Sequence, residues 1–230
     1  MKRILITGAS RGIGRALAEA LATAETTLIL HGRDHAALEE TKRTVELCGA
    51  RAEVVICDLS DAEATSAMAA EVAREPLDVL INNAGIAVVK PLADVSLAEW
   101  QRTLAINVTA PFLLTQALAP QMPAGGSIVY ILSIAARTGF PGWSPYAMSK
   151  FALEGFSQSI REELRAAGIR VINIYPAATD TEIWDAVGGD WPRSKMMRSE
   201  HVANAVVSAL RQPAGVAVEN ITLSATSGSL

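Results

Sequence analysis

The chain alternates short, continuously apolar runs with longer stretches whose apolar residues recur at helical spacing. Residues 4–7 form the first such run, and Ile13, Ala16, Leu17 and Leu21 then fall on one helix face. The same rhythm predicts further strands over 27–31, 52–57, 79–82, 127–132, 170–175 and 216–223. It predicts helices over 35–47, 61–74, 97–119, 145–167 and 199–210. End signals support several of these. Asp34 stands as an N-cap, Ser96-Leu97-Ala98-Glu99 is a capping box, and Gly168 follows the 145–167 helix. Strands that are apolar throughout are buried on both faces. The expected class is therefore α/β: a doubly wound (Rossmann) sheet, mostly parallel and seven-stranded, with helices on both faces. A chain of 230 residues fits one domain over 1–230. Residues 176–198 follow neither rhythm and are expected to form a long loop within it.

Composition narrows the partners. A net charge of −4 gives no basic surface for nucleic acid or anionic lipid. Half the residues are apolar and 19% are charged, which argues for an extensive buried surface and against disorder. The two cysteines and three histidines show no ligand spacing, so no metal is expected. The first apolar run stops at Thr7-Gly8, too soon for a secretory signal. The stretch 104–136 is uncharged, but Asn107, Gln116, prolines and Gly125-Gly126 interrupt it, which speaks against a membrane span. A cytoplasmic protein is expected.

Ligands of such sheets bind at the carboxyl ends of the strands, and the distinctive residues follow strands here. Thr7-Gly8-Ala9-Ser10-Arg11-Gly12-Ile13-Gly14 lies between the first strand and the first helix. Its glycines allow a tight turn and close approach of a phosphate to the free N–H groups of the helix. Arg33 ends the second strand about 20 residues further on, where a dinucleotide site reads the ribose. An acid there would suit a 2′-hydroxyl; Gly32-Arg33, with Arg11 nearby, suits a 2′-phosphate and hence NADP. Asp58 follows the third strand and suits either an adenine amino group or a helix cap. Asn82-Asn83-Ala84-Gly85 follows the fourth and suits a turn or a tie between strands beside a cofactor. Tyr146 and Lys150, four apart, share a helix face, and Ser133 ends the fifth strand.

Taken together, these residues resemble the short-chain dehydrogenase/reductase family, in its NADP-preferring group. The resemblance rests on Thr7 to Gly14, Asp58, Asn82 to Gly85, Asn107, Ser133, Tyr146-x3-Lys150 and Pro176 to Thr181, in the family's order along the whole chain. Ser133 stands thirteen residues before Tyr146, as that family has it. Two features depart from the pattern. Ala177 replaces the glycine usual after Pro176, which is costly if that turn needs a positive φ. Glu219 to Leu223 stand where Asp-Gly-Gly is common, so the chain looks more like 3-hydroxy acid dehydrogenases and sepiapterin reductases than 3-oxoacyl-[acyl-carrier-protein] reductases.

The resemblance implies hydride transfer between a nicotinamide and a small carbonyl compound or secondary alcohol. Tyr146 would be the general acid/base, and Lys150 would lower its pKa by about three units. Ser133 would orient the substrate oxygen, and Asn107 would hold a water linked to Lys150. Cofactor contacts are implied for Gly8, Ser10, Arg11, Gly12, Ile13 and Gly14 at the glycine turn. They are implied for Arg33, Asp58, Leu59, Asn82, Ala84 and Gly85 along the adenosine half. Tyr146, Lys150, Pro176, Thr179 and Thr181 would serve the nicotinamide half. Trp184 and Trp191 are expected to anchor a lid over 176–198, with Trp143 and Phe140 on the opposite wall. Helix 97–119 carries no charge after Arg102, which predicts burial against another copy in a homodimer or homotetramer. A non-catalytic NADP(H)-binding sensor or scaffold stays open as the alternative, because fold alone does not fix function.

Overall fold

The computed structural model describes residues 1–213, 215–226 and 228; the remaining positions of the single domain expected over 1–230 lie outside the described residues. Seven strands form one sheet: β1 (Lys2–Thr7), β2 (Thr26–Gly32), β3 (Arg51–Ile56), β4 (Val79–Asn82), β5 (Ser127–Ile131), β6 (Arg170–Pro176) and β7 (Asn220–Leu223). Their order is β3-β2-β1-β4-β5-β6-β7, and every neighbouring pair is parallel. The chain leaves β1 towards one edge and returns to β4 on its other side. The carboxyl ends of β1 and β4 therefore flank a topological switch point, where a crevice must open.

The period of two sorts strand side chains onto the two faces. Ile4, Ile6, Leu28, Leu30, Val129 and Ile172 point to the face covered by α1 (Gly12–Leu21), α2 (His35–Leu47) and α8 (Ser199–Leu210). Leu5, Ile29, Leu80, Ile128, Tyr130 and Val171 point to the other. That face is covered by α3 (Ala62–Val72), α4 (Leu97–Leu104), α5 (Ala110–Leu118) and α6 (Ser144–Arg165). The caps act as the residues require. Asp34 accepts from the Ala37 N–H, and Ser96 and Glu99 close a reciprocal capping box. Gly168 takes φ +71° and its N–H returns to the Arg165 carbonyl at 3.0 Å.

Three elements differ from expectation. The helix expected over 97–119 is broken: a π-helical turn, Ala105–Thr109, separates α4 from α5. In an α-helix the Asn107 carbonyl would accept from residue 111, but residue 111 is proline and has no N–H. The ladder is offset instead, and the Ala110 N–H bonds the Ala105 carbonyl five residues back. The whole stretch Leu97–Gln121 is long and apolar enough to cross a membrane by composition, yet half of it is buried inside this fold. The last strand is shorter than its apolar run, beginning at Asn220, where pairing with Asn173 of β6 starts. The 176–198 segment is not wholly irregular; it holds a short helix, α7 (Ile183–Val187), and a single 3₁₀ turn at Arg193–Lys195.

Candidate active site

The crevice is built by the turn between β1 and α1. Gly8 and Gly12 adopt φ +69° and +53°, the left-handed region that favours glycine. Gly14 answers a different constraint. A Cβ there would lie 2.0 Å from the Gly8 carbonyl oxygen, so only glycine lets α1 begin against the turn. Thr7 fixes the other side: its hydroxyl donates to the Ile81 carbonyl at 3.2 Å and accepts the N–H groups of Asn83 and Ala84 at 2.9 and 3.0 Å. The Asn83 amide donates back to the Thr7 carbonyl at 2.8 Å. His31 closes the third side. The Gly8 N–H donates to its Nδ1 at 3.4 Å, which leaves a protonated Nε2 facing the Cys57 carbonyl at 3.1 Å. Burial drives the His31 pKa down to about 4, so the ring is a neutral structural link.

A groove of about 250 Å³ runs from this turn across the strand ends. Gly8, Ser10, Arg11, Gly12 and Ile13 form one bank; Arg33, Asp58 and Leu59 form its far end; Ala84, Gly85 and Thr181 form the other bank. Two residues expected there lie elsewhere. Gly14 is buried beneath the turn, and Asn82 is buried inside β4 with both polar side-chain atoms lacking a hydrogen-bond partner. Asn83 lines the groove instead. Arg33 is 53% exposed, its guanidinium 3.8 Å from Asp58. Asp58 does not cap a helix. The cap of α3 is Asp61, while one Asp58 oxygen accepts from the N–H and hydroxyl of Ser60 at 2.9 and 2.8 Å. These two bonds and the nearby Arg33 hold the Asp58 carboxyl below its ordinary range. Gly32 has a packing reason to be glycine, since a Cβ there would meet Leu38 of α2 at 3.3 Å.

The groove continues into a cavity of about 230 Å³ lined by Ser133, Tyr146 and Lys150. Tyr146 and Lys150 sit one turn apart on α6, and Ser133 follows β5. The Ser133 oxygen accepts the Ala135 N–H at 3.1 Å, which leaves its proton for another acceptor. Lys150 is buried, and its ammonium donates to the Ile131 carbonyl at 2.8 Å and stands 5.6 Å from the Tyr146 ring centre. Burial lowers the Lys150 pKa to about 8. The expected depression of Tyr146 by Lys150 is not found: burial pushes the phenol up, and only a hydrogen bond from Ser133 pulls it down. The ammonium faces a carbonyl rather than the phenol oxygen, which accounts for the difference.

Asn107 lies in the π turn with its side chain fully engaged. Its amide donates to the Ile86 carbonyl at 2.9 Å and the Ser149 hydroxyl at 3.0 Å, and its oxygen accepts the Ile86 N–H at 2.9 Å. Gly85 runs close by; a Cβ there would sit 3.4 Å from the Asn107 oxygen and 3.8 Å from the Lys150 ammonium. Pro176 at the end of β6 and Thr179 and Thr181 beyond it line the cavity, and the Thr179 hydroxyl donates to the Ala177 carbonyl at 3.0 Å. Ala177 has no strained turn to make. Among the described residues no non-glycine residue has a positive φ, and the Ala177 N–H bonds Leu223 at 2.8 Å. Trp143 does not face Trp184 and Trp191 from an opposite wall; it touches both, with ring centres 5.7 and 6.1 Å apart.

The profile of the short chain dehydrogenase family matches residues 2–190. The chain belongs to the short-chain dehydrogenase family. A sepiapterin reductase of Chlorobaculum tepidum is 35% identical over 242 aligned positions, spanning 100% of this chain and 99% of that protein. Among solved structures, a short-chain dehydrogenase of Burkholderia cenocepacia in complex with NADP superimposes with a TM-score of 0.88 at 31% identity, covering 97% of this chain and 96% of the other. An alcohol dehydrogenase of Thermococcus sibiricus complexed with 5-hydroxy-NADP gives 0.88 at 26% identity, covering 98% and 97%.

In this short-chain dehydrogenase, sequence reasoning missed the parts that hold the site from behind. His31 has no metal-like spacing to mark it; its signal is its place near the end of β2, beside the glycine turn. The tie between strands that the Asn82 to Gly85 stretch suited is made by Asn83, while the part of the Thr7 hydroxyl in it depends on strand ends meeting, which spacing along the chain does not report. Arg193 is a third case: it bonds Asp180 and Asp185, the latter at 2.8 Å, and thereby folds the 176–198 segment onto itself.

Proposed function

We propose that this short-chain dehydrogenase is an NADP(H)-dependent oxidoreductase acting on a small carbonyl compound or secondary alcohol, with Tyr146 as general acid/base. The observation that carries the reading is continuity: the cavity holding Tyr146, Ser133 and Lys150 opens directly into the groove of the glycine turn and Arg33. The groove suits a dinucleotide on its own geometry. Its turn has no side chain where a phosphate must approach, and α1 starts there with no acidic residue in its first turn. Arg33 supplies a cation at the groove's far end, where a 2′-phosphate would lie, and Arg11 supplies another on the bank of the glycine turn. The NADP complexes among the structural neighbours agree with this.

When bound, the nicotinamide supplies or accepts the hydride. The chain's own residues manage the proton and the geometry. In reduction the Tyr146 hydroxyl gives its proton to the forming alkoxide, and its raised pKa keeps it protonated until then. Ser133, whose oxygen is held by Ala135, donates to the same substrate oxygen and fixes its position. Lys150 remains charged up to about pH 8, its ammonium held by the Ile131 carbonyl 5.6 Å from the Tyr146 ring centre, beside the path by which the phenol would be reprotonated. Asn107 and the π turn hold the chain beside Gly85 and Lys150, the direction from which a proton would be replaced.

The enzyme is further proposed to be cytoplasmic and to work as a homodimer or homotetramer. Phe112 of α5 and Phe151 of α6 are 40% and 46% exposed in the single chain. Phe112 lies on the stretch that carries no charge after Arg102, and Phe151 adds an exposed ring on α6.

Titration with each cofactor tests the nucleotide assignment. NADPH is expected to bind about ten- to a hundredfold more tightly than NADH at low salt, with the gap narrowing as salt rises. Arg33→Ala is expected to remove about tenfold of NADPH affinity and leave NADH within about twofold. Equal affinities in the wild type would refute the NADP reading.

A further inference from the structure

The cavity facing Tyr146 carries a chemical signature that the catalytic residues do not explain. Among the described side chains that line it, Lys150 is the only charged one, and its ammonium already donates to the Ile131 carbonyl. Three of the chain's four tryptophans, Trp143, Trp184 and Trp191, form one continuous wall. Trp143 meets Tyr146 edge-on at 5.6 Å, and Trp184 and Trp191 lie 4.8 Å apart. Phe140 and Ile183 extend the apolar surface.

Much of the polar capacity of this wall is spent internally. The Trp184 indole N–H donates to the Thr179 carbonyl at 2.8 Å, and that of Trp191 donates to the Gly188 carbonyl. The Thr179 hydroxyl is turned to Ala177. Among the charged residues of the same segment, Asp180 and Asp185 pair with Arg193, and no charged residue of the segment lines the cavity among the described residues. Trp184 and Trp191 therefore offer ring faces and edges with their donors spent, while the Trp143 indole N–H has no partner among the described residues; the wall holds no cation for a carboxylate. Ser133 and Tyr146, which bond each other, are the side chains placed to hold the substrate's carbonyl oxygen.

We propose that the substrate is a neutral aromatic carbonyl compound, its ring against Trp143, Trp184 and Trp191 and its carbonyl oxygen between Ser133 and Tyr146. This deepens the oxidoreductase reading above and rests on it. A carboxylate on the ring would enter a wall with no counter-charge, at a desolvation cost that nothing there repays. A saturated ring of equal size would bury similar area but lose the ring–ring electrostatics of edge and offset contacts. Two such contacts imply about a tenfold preference, equivalent to about 1.4 kcal/mol.

The test uses three ketones of matched reach: benzylacetone, whose carbonyl is not conjugated with its ring, its cyclohexyl analogue, and its para-carboxylate analogue. Each is reduced with NADPH, and each is titrated against tryptophan fluorescence with NADP⁺ present. The expected result is a kcat/KM for benzylacetone about tenfold above both analogues, expressed mainly in KM. Trp191→Leu, or Trp184→Leu as a second variant, should bring the phenyl-to-cyclohexyl ratio to within about threefold, with NADPH titration reporting an intact fold. Reduction of the cyclohexyl or carboxylate analogue as well as benzylacetone overturns the proposal and leaves the oxidoreductase reading standing. If no ketone is reduced, saturable quenching selective for benzylacetone upholds the aromatic site and refutes hydride transfer to such ketones. Unselective or absent quenching overturns the proposal.

Discussion

Replacing Lys150 by methionine should make the protein more stable and inactive. The ammonium is buried, 4% exposed, and among the described residues no carboxylate pairs with it; its partner is the Ile131 carbonyl. Burial moves its pKa from 10.5 to about 8. Because the folded value is depressed, the penalty is present in full below about pH 8 and fades as pH climbs towards 10.5. Linkage over that interval puts the cost at ~3 kcal/mol at pH ~7 and ~1 kcal/mol at pH ~9.5. Methionine removes this cost but leaves the Ile131 carbonyl without its donor, a loss of about 1–2 kcal/mol at either pH. The net gain is therefore about 1–2 kcal/mol at pH ~7, which for a chain of this size raises Tm by roughly 2–8 °C. At pH ~9.5 the gain should be close to zero. Thermal melts of wild type and variant at both pH values give the comparison, and the difference between the proteins cancels other titrating groups. A variant less stable than wild type at pH ~7, or a difference that does not change with pH, would refute the reasoning. In either case the charge would not be under strain in the fold.

Gly14→Ala places a Cβ 2.0 Å from the Gly8 carbonyl oxygen, so the turn must open. The expected outcome is a loss of about 2 kcal/mol or more in a denaturant melt and of at least tenfold in NADPH affinity. Sedimentation of the wild type at micromolar concentration should show a dimer or tetramer, with Phe112→Glu plus Phe151→Glu moving the population towards the 24.3 kDa chain. A single-chain species in the wild type would contradict the assembly.

The fold was legible because each strand is apolar throughout and each helix has a face. Leu5 and Ile6 point to opposite sides of the sheet, and both are fully buried, which only a sheet covered on both faces allows. The break in the 97–119 helix was legible in principle, since Pro111 removes the N–H that Asn107 needs, but periodicity averages over a single offset turn. At the site, residues whose role is set by local backbone shape were readable: Gly8, Gly12, and the one-turn spacing of Tyr146 and Lys150. Residues whose role depends on where distant segments meet were not. Asn82 and Asn83 are indistinguishable as neighbours in sequence; the alternation of β4 buries the first, while the second reaches the crevice. The direction of the Tyr146 shift also escaped the sequence, because it turns on where the Lys150 ammonium points.

The central claim is that Tyr146 gives and takes the proton, and Tyr146→Phe tests it by removing one oxygen. With a ketone that the wild type reduces, NADPH consumption should fall at least a hundredfold, the usual contribution of a positioned acid. NADPH affinity should stay within about threefold, because the groove is built by other residues. Retention of activity to within tenfold of wild type, with NADPH binding intact, would show that the proton comes from elsewhere.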